Sequence, residues 1–295
     1  MKDIITIIVR LTLSCVLAGT VMGTTFIFTD KAKKHNEHVN EERVMYALLG
    51  YSEEEPAPES MKLHEVYRYV VTEAGVQSIG YLVPTKEGHL FIRIDLDGKL
   101  LEQTKIEISE ADVHETGPRD QAVAVAMGTG RTVRFAEHIT FVTDKNERKG
   151  YLLSGKFPGF KTHIAVILAL EPDFALRGFE VMEHEEDPGL GGEIEQDYFK
   201  NQFRGKPFEV LKGLGVVKEP LPQEYLDVLE GKVEDEAEQE RVMEQYRPND
   251  IYALTGATIS SRCVSNGIKG IVKKFAYRVS VLDKLIEQEQ IPVAF

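Results

Sequence analysis

The chain has 295 residues with 48 Asp and Glu against 35 Lys and Arg, a formal net charge of −13. That length suits one or two globular domains, and a balance so acidic excludes nucleic acid and other polyanions as natural partners. Its two cysteines, Cys15 and Cys263, leave no disulfide framework and no CxxC metal or haem site, and no closely spaced His or Cys cluster suggests zinc.

Residues 4–28 are predominantly apolar with Arg10 as the single charge, and at ~1.5 Å rise per residue they are long enough to cross a ~30 Å hydrocarbon core. They predict an uncleaved transmembrane anchor (residues 1–29). A removed signal peptide is the rival reading, against which stand the length of the apolar run and the lack of a small-x-small cleavage site. Arg10 lies near enough to the amino end to snorkel to the interface. Lys31, Lys33 and Lys34 follow the helix while only Lys2 precedes it. By the positive-inside rule alone the globular part would face the cytoplasm.

Residues 30–59 read as a polar helical stalk ending at Gly50 and then an acidic, proline-broken linker around Glu53-Glu54-Glu55-Pro56. From about Ser60 one pattern occurs twice. His64 to Val70 leads to Gly80-Tyr81-Leu82, then to a strand pair over residues 90–94 and 100–108. His138 to Val142 leads to Gly150-Tyr151-Leu152, then to a second pair over residues 164–170 and 176–182. Two copies of one β unit account for this: a first, degenerate copy in residues 60–135 and the second opening a domain at 136–276. Between them residues 120–127 predict a short Ala-Val helix closed by Gly128 and Gly130.

The second copy alone continues into His184-Glu185-Glu186-Asp187-Pro188-Gly189-Leu190-Gly191-Gly192. Pro-Gly before Gly-Gly is by itself a turn signal. Tyr198-Phe199, Phe203 and Gly205-Lys206 follow. Residues 220–248 carry two short amphipathic patterns, Tyr225, Val228, Leu229 and then Val242, Met243, Tyr246, with the acidic run at Glu234 to Glu238 as a solvated loop between them. Next comes Leu254-Thr255-Gly256-Ala257-Thr258-Ile259-Ser260-Ser261, opening a helix whose apolar face is Val264, Ile268, Ile271, Val272 and Phe275. Such a helix entrance offers free N–H groups and the positive end of a dipole to a phosphate. The plainer alternative is that Thr258 or Ser260 serves as an N-cap. Residues 277–295 predict a separate C-terminal helix whose Val281, Leu282, Leu285 and Ile286 would pack on another polypeptide of an assembly.

Thr255-Gly256-Ala257-Thr258 resembles the Ser/Thr-Gly-Ala-Thr signature of the FMN-binding domain found in the G subunit of Rnf electron-transport complexes and the C subunit of sodium-pumping NADH:quinone reductases. The loop from His184 to Gly191 is similar to that family's His-x-Glu-Thr-Pro-Gly-Leu-Gly loop, and Gly159-Phe160 stands where the family has Gly-Tyr. The resemblance implies an α+β fold: one N-terminal transmembrane helix, then an FMN-binding domain with antiparallel sheet, packed helices and an internally duplicated β unit. It implies FMN joined by a phosphoester to Thr258, with Thr255, Gly256 and Ala257 shaping the phosphate turn, and Glu186, Pro188, Gly189, Leu190 and Gly191 against the flavin ring. Glu186 would meet the pyrimidine or ribityl edge, or cap a turn.

The implied role is that of an electron carrier, without independent catalysis, in an ion-translocating ferredoxin:NAD oxidoreductase (Rnf-type) complex of the bacterial inner membrane. Its domain would lie on the extracytoplasmic side, its partners being the other membrane subunits and a flavin transferase. The C subunit of a quinone reductase and a flavin-free structural or sensory module are the alternatives. Two positions depart from the family pattern: Tyr252 replaces an Asp six residues before Thr258, with Asp250 the nearest acid, and Asp187 replaces a Thr in the ring-side loop.

Overall fold

The computed structural model describes residues 2–295; Met1 and the side chains of residues 2, 3, 27, 28, 30–32, 34, 35, 37 and 38 lie outside the described residues, Lys2, Lys31 and Lys34 of the charge comparison among them. The chain divides into two units, residues 1–47 and 48–295.

The first unit is formed by a single helix, α1 (Lys2–Leu48), of 47 residues, whose last residue belongs to the second unit. Its segment Ile4–Phe26 is long and apolar enough to cross a membrane, and none of it is buried by protein. The hydroxyls of Ser14, Thr20, Thr24, Thr25 and Thr29 each donate to the carbonyl four residues back, so these polar groups stay satisfied without water.

The second unit starts earlier than the expected boundary near Ser60. Leu49 is buried and its carbonyl accepts from Arg177 Nη1, so the folded unit already holds residues that the sequence assigns to the end of a stalk. Eight strands form its sheet: β1 (Met61–Glu73), β2 (Val76–Thr85), β3 (Gly88–Ile94) and β4 (Leu100–Ile106), then α2 (Glu110–His114) and α3 (Thr116–Met127), then β5 (Arg131–Asp144), β6 (Glu147–Pro158), β7 (His163–Leu170) and β8 (Leu176–Glu183). All neighbours are antiparallel, in the order β4-β3-β2-β1-β5-β6-β7-β8. Each run of four is a meander, and the two join through their first strands. Hairpin connections explain this order, because an antiparallel neighbour needs only a short turn.

Period-2 alternation sends successive residues to opposite faces. Val66, Tyr81, Val83, Ile92 and Ile94 enter the main core on one face, while Tyr67, Tyr69, Leu82 and Phe91 enter a second core under α2 and α3 on the other. Arg119 of α3, 3% exposed, holds this second core together. Its Nε donates to Tyr69 Oη at 2.9 Å and its Nη1 to Val113 O at 3.3 Å, and its guanidinium lies 4.1 Å from the Tyr67 ring centre.

After β8 the chain runs through α4 (Asp197–Lys200), α5 (Phe208–Gly213), β9 (Val216–Val217), α6 (Gln223–Leu229), α7 (Glu236–Tyr246) and β10 (Ile251–Tyr252) to α8 (Thr258–Glu289). The two amphipathic patterns expected in residues 220–248 are α6 and α7, which form a small core of their own from Tyr225, Leu229, Val242 and Tyr246. Asp235, from the acidic run, caps α7 by accepting from Ala237 N. Lys206, 1% exposed, donates to the carbonyls of Tyr246, Arg247 and Asn249 and so fixes the end of α7; burial pushes its pKa down to about 8.

The division at 276/277 does not exist. Residues 258–289 are one helix, because its buried stripe Val264, Ile268, Val272, Phe275, Val279, Leu282 and Leu285 continues without a break. Leu282 and Leu285, expected to meet another polypeptide, are buried in this chain's own main core.

Candidate functional site

Two turns of the same kind face each other at one end of the main core. In the first, Leu190 N donates to Asp187 O (3.1 Å), with Pro188 second and Gly189 third at φ +72°. In the second, Ala257 N donates to Leu254 O (3.0 Å), with Thr255 second and Gly256 third at φ +76°. Both follow the type II pattern, which needs φ > 0 at its third residue and therefore Gly. They meet where Leu190 lies against Gly256: a Cβ there would be 3.1 Å from Leu190 Cδ2.

Between them is a cleft of about 350 Å³ lined by Phe160, Glu186, Asp187, Leu190, Gly191 and residues 256–260. Of the residues named from the sequence, Glu186, Leu190, Gly191, Gly256, Ala257 and Thr258 line it. Thr255, Pro188 and Gly189 do not, and nothing lies within 4 Å of where a Gly189 Cβ would be. Asp187, at the family's Thr position, pairs with Lys161.

Glu186 is the fixed point of this arrangement. It is 4% exposed, and Oε1 accepts from the backbone N–H of Phe160 (2.7 Å) and Lys161 (3.2 Å), while Oε2 accepts from the Ser260 hydroxyl in a short hydrogen bond. One buried carboxylate therefore ties the 159–161 turn, the 186–191 loop and the start of α8 together. Two glycines make room for it: a Cβ at Gly159 would come within 2.6 Å of Oε1, and one at Gly191 within 2.7 Å of Oε2. The loop is oriented from behind by His184, whose Nδ1 accepts from Glu186 N (3.0 Å) and whose Nε2 lies 2.9 Å from Glu195. The proton therefore sits on Nε2. Sequence reasoning misses Gly159 and Ser260 as site residues, because their common partner lies 27 and 74 positions away.

The entrance of α8 carries no side-chain cap. The N-cap reading of Thr258 or Ser260 is corrected: the cap position is Ala257, and the first helical bond is Ser261 N to Ala257 O. The amides ahead of it face the cleft end with the positive pole of a 32-residue helix. Hydroxyls are sharply divided there. Ser260 is committed to Glu186, and Ser261, fully buried, accepts from Leu254 N and donates to Ala257 O. Thr258 lines the cleft and makes no hydrogen bond among the described residues. Three large apolar side chains, Phe160, Leu190 and Ile259, stand about half exposed (55, 47 and 54%) around the same opening. An anionic end and a flat apolar body fit this donor set and rim together.

Tyr252 and Asp250 lie outside the cleft lining. The Tyr252 ring packs edge-on against Tyr225 and Tyr246, and Asp250 accepts from Gly215 N at 2.8 Å.

Residues 159–273 match the family model described as FMN-binding domain. The G subunit of the proton-translocating ferredoxin:NAD(+) oxidoreductase complex of Clostridium ljungdahlii is 27% identical over 129 residues, 44% of this chain and 55% of that protein; the match thus spans about half the length of this curated relative. Among solved structures, Shewanella oneidensis NqrC is similar with a TM-score of 0.38 at 16% identity, covering 72% of this chain and 77% of that one. The C subunit of the Na(+)-translocating NADH-quinone reductase of Parabacteroides distasonis has a TM-score of 0.33 at 17% identity, covering 64% and 74%. The family segment begins at Gly159, where the Glu186 clamp begins, and takes in the whole cleft, so residues 159–273 of this chain carry an FMN-binding domain.

Proposed function

We propose that this protein is a membrane-anchored flavoprotein subunit that carries electrons within an ion-translocating ferredoxin:NAD oxidoreductase complex, with FMN joined through its phosphate to Thr258 Oγ1. The observation that carries the attachment is the division of hydroxyls at the helix entrance: Thr258 faces the cleft uncommitted, while Ser260 and Ser261 are held by the protein. FMN supplies redox chemistry that takes electrons singly or in pairs. The uncapped amides and dipole of α8 favour the phosphate charge by about 0.3–1 kcal/mol. Phe160, Leu190 and Ile259 offer the apolar surface for the ring, and the backbone at Leu190 and Gly191 its polar edge; Glu186, which accepts from Phe160 N, Lys161 N and the Ser260 hydroxyl, holds these parts in position. A flavin transferase and the other membrane subunits are the partners this reading requires. Anchoring is through residues 4–26 in the bacterial inner membrane, with the folded unit on the extracytoplasmic side.

Mass spectrometry of a peptide covering residues 250–262, after coexpression with a flavin transferase, tests the attachment. It should be heavier by one FMN less a water, with the modification on Thr258. Thr258→Ala should fold and reach the membrane without bound flavin, and Thr258→Ser should retain part of it. An unmodified peptide from a colourless protein would favour the flavin-free module instead, and modification at Ser260 would overturn the assignment. A labelling probe at Glu54 that reacts only from the cytoplasmic side would refute the topology.

A further inference from the structure

The sheet opens at one end. β5 and β6 pair from Asp144 and Glu147 only as far as Ile139 and Leu153, whereas β5 runs on beside β1 to Arg131, and β6 runs on beside β7 to Pro158. The strands part because each follows a different helix. Beyond Leu153, β6 is drawn onto α8: a Cβ on Gly155 would overlap Ile271 Cδ1, and one on Gly267 would overlap the Phe157 ring. Val133 and Phe135 of β5 instead pack with α3 in the second core.

What remains is a notch of about 270 Å³. Its walls are residues 136–139 of β5 and 153–156 of β6, and its floor is Ile271, Lys274, Phe275 and Arg278 of α8. Residues 131–138 have a strand neighbour on one side only, and among the described residues no loop or helix backbone bonds to their other edge. An extended edge with open N–H and C=O groups is a template for an added strand.

Charge around this edge is one-sided. Lys156, Lys274, Arg278, Arg68 and Arg134 lie in or next to the notch, against Glu137 and Glu183. Glu137 is already shared between Arg68 and Arg278, and Glu183 is paired with Lys156. Lys274 and Arg134 are exposed and make no ion pair among the described residues, and Arg68 Nε is buried without an acceptor. In a chain of net charge −13 this is a local excess of positive charge.

We propose that the notch receives an extended acidic segment of another protein chain, which adds to the free edge of β5 as a strand and sets carboxylates against Arg134, Lys274 and Arg278. Backbone pairing supplies the register, and the basic rim selects an acidic sequence over a neutral one.

A photo-crosslinking residue placed at Ala136 of the full chain in its native membrane tests this, with the crosslinked peptide mapped by mass spectrometry. The expected product joins residue 136 to an acidic segment of a different chain. Arg134→Glu combined with Lys274→Glu should cut its yield at least about tenfold, since two attractions become repulsions. Hydrogen exchange on the unsubstituted protein keeps the test independent of variant folding: amides of residues 131–137 should be protected at least about tenfold in the membrane assembly relative to the purified chain. A product with lipid, with a second copy of this chain or only within the chain overturns the proposal, as does equal exchange of these amides in both states.

Discussion

Adding one methyl group at Gly191 tests whether the buried carboxylate organises the cleft. A Cβ there would lie 2.6 Å from Ser260 Oγ, 2.7 Å from Glu186 Oε2 and 3.1 Å from Glu186 Cβ. Ordinary van der Waals contact begins at 3.4 Å, so Ser260 must retreat by about 0.8 Å and the carboxylate by about 0.7 Å, which parts the bond between them. Overpacking costs about 1–3 kcal/mol and a lost hydrogen bond to a charged group about 1.5–3 kcal/mol, giving Gly191→Ala a destabilisation of roughly 2.5–6 kcal/mol. For a unit of this size that lowers the melting temperature by on the order of 10 °C. Gly189→Ala is the control from the same loop: its Cβ meets nothing within 4 Å, and only the φ of +72° is penalised, at about 1–2 kcal/mol. Thermal melts of the full chain in detergent, with flavin content measured on the same samples, separate the two. If Gly191→Ala melts within a degree or two of Gly189→Ala, the carboxylate does not hold the cleft together.

The amino-terminal anchor should persist in the mature protein, and amino-terminal sequencing of membrane-extracted chain should find no terminus between Gly19 and Thr29. Arg119→Met removes the donors to Tyr69 and Val113 and the cation over Tyr67, so it should cost about 2–4 kcal/mol in thermal melts yet leave flavin content unchanged, because α3 packs on the opposite face from the cleft. Stability should also change with alkaline pH. The Lys206 pKa is lowered by burial to about 8 in the folded state against 10.5 unfolded, so between these values the unfolded chain binds more protons and stability rises with pH. Above about pH 10 the trend should reverse, because burial raises the pKa values of Tyr67, Tyr69 and Tyr225 and the unfolded chain then loses protons first. Denaturant titrations across the neutral to alkaline range check both slopes, and Lys206→Met should flatten only the rising one.

The strand pairs are legible because half-buried antiparallel strands alternate, and the repeated Gly-Tyr-Leu marks equivalent places in β2 and β6. The two glycines are nevertheless there for different reasons: Gly80 leaves room for the Phe91 ring, whereas Gly150, at φ +156°, lies under Leu170 O. The α8 continuation is written in the spacing of Phe275, Val279, Leu282 and Leu285, but exposed Tyr277 reads as an end to the pattern. For the site, local signals give both turns and the helix entrance, since Pro-Gly and Thr-Gly act through their own dihedrals. Glu186 is visible without its role, because its burial depends on Phe160 N, Lys161 N and Ser260 brought together only by the sheet.

Gly267 gives α8 a mechanical property. It is where the helix backbone meets the Phe157 ring, with Thr258 about 13 Å to one side along the axis and Arg278 about 17 Å to the other, at ~1.5 Å per residue. The helix is also held at Ile271 against Gly155 and along its buried stripe from Val264 to Leu285, so it is clamped along its length and cannot pivot on one contact. Such a rod acts as a strut: it fixes the separation of Thr258 and Arg278 along the axis at roughly 30 Å, at ~1.5 Å per residue.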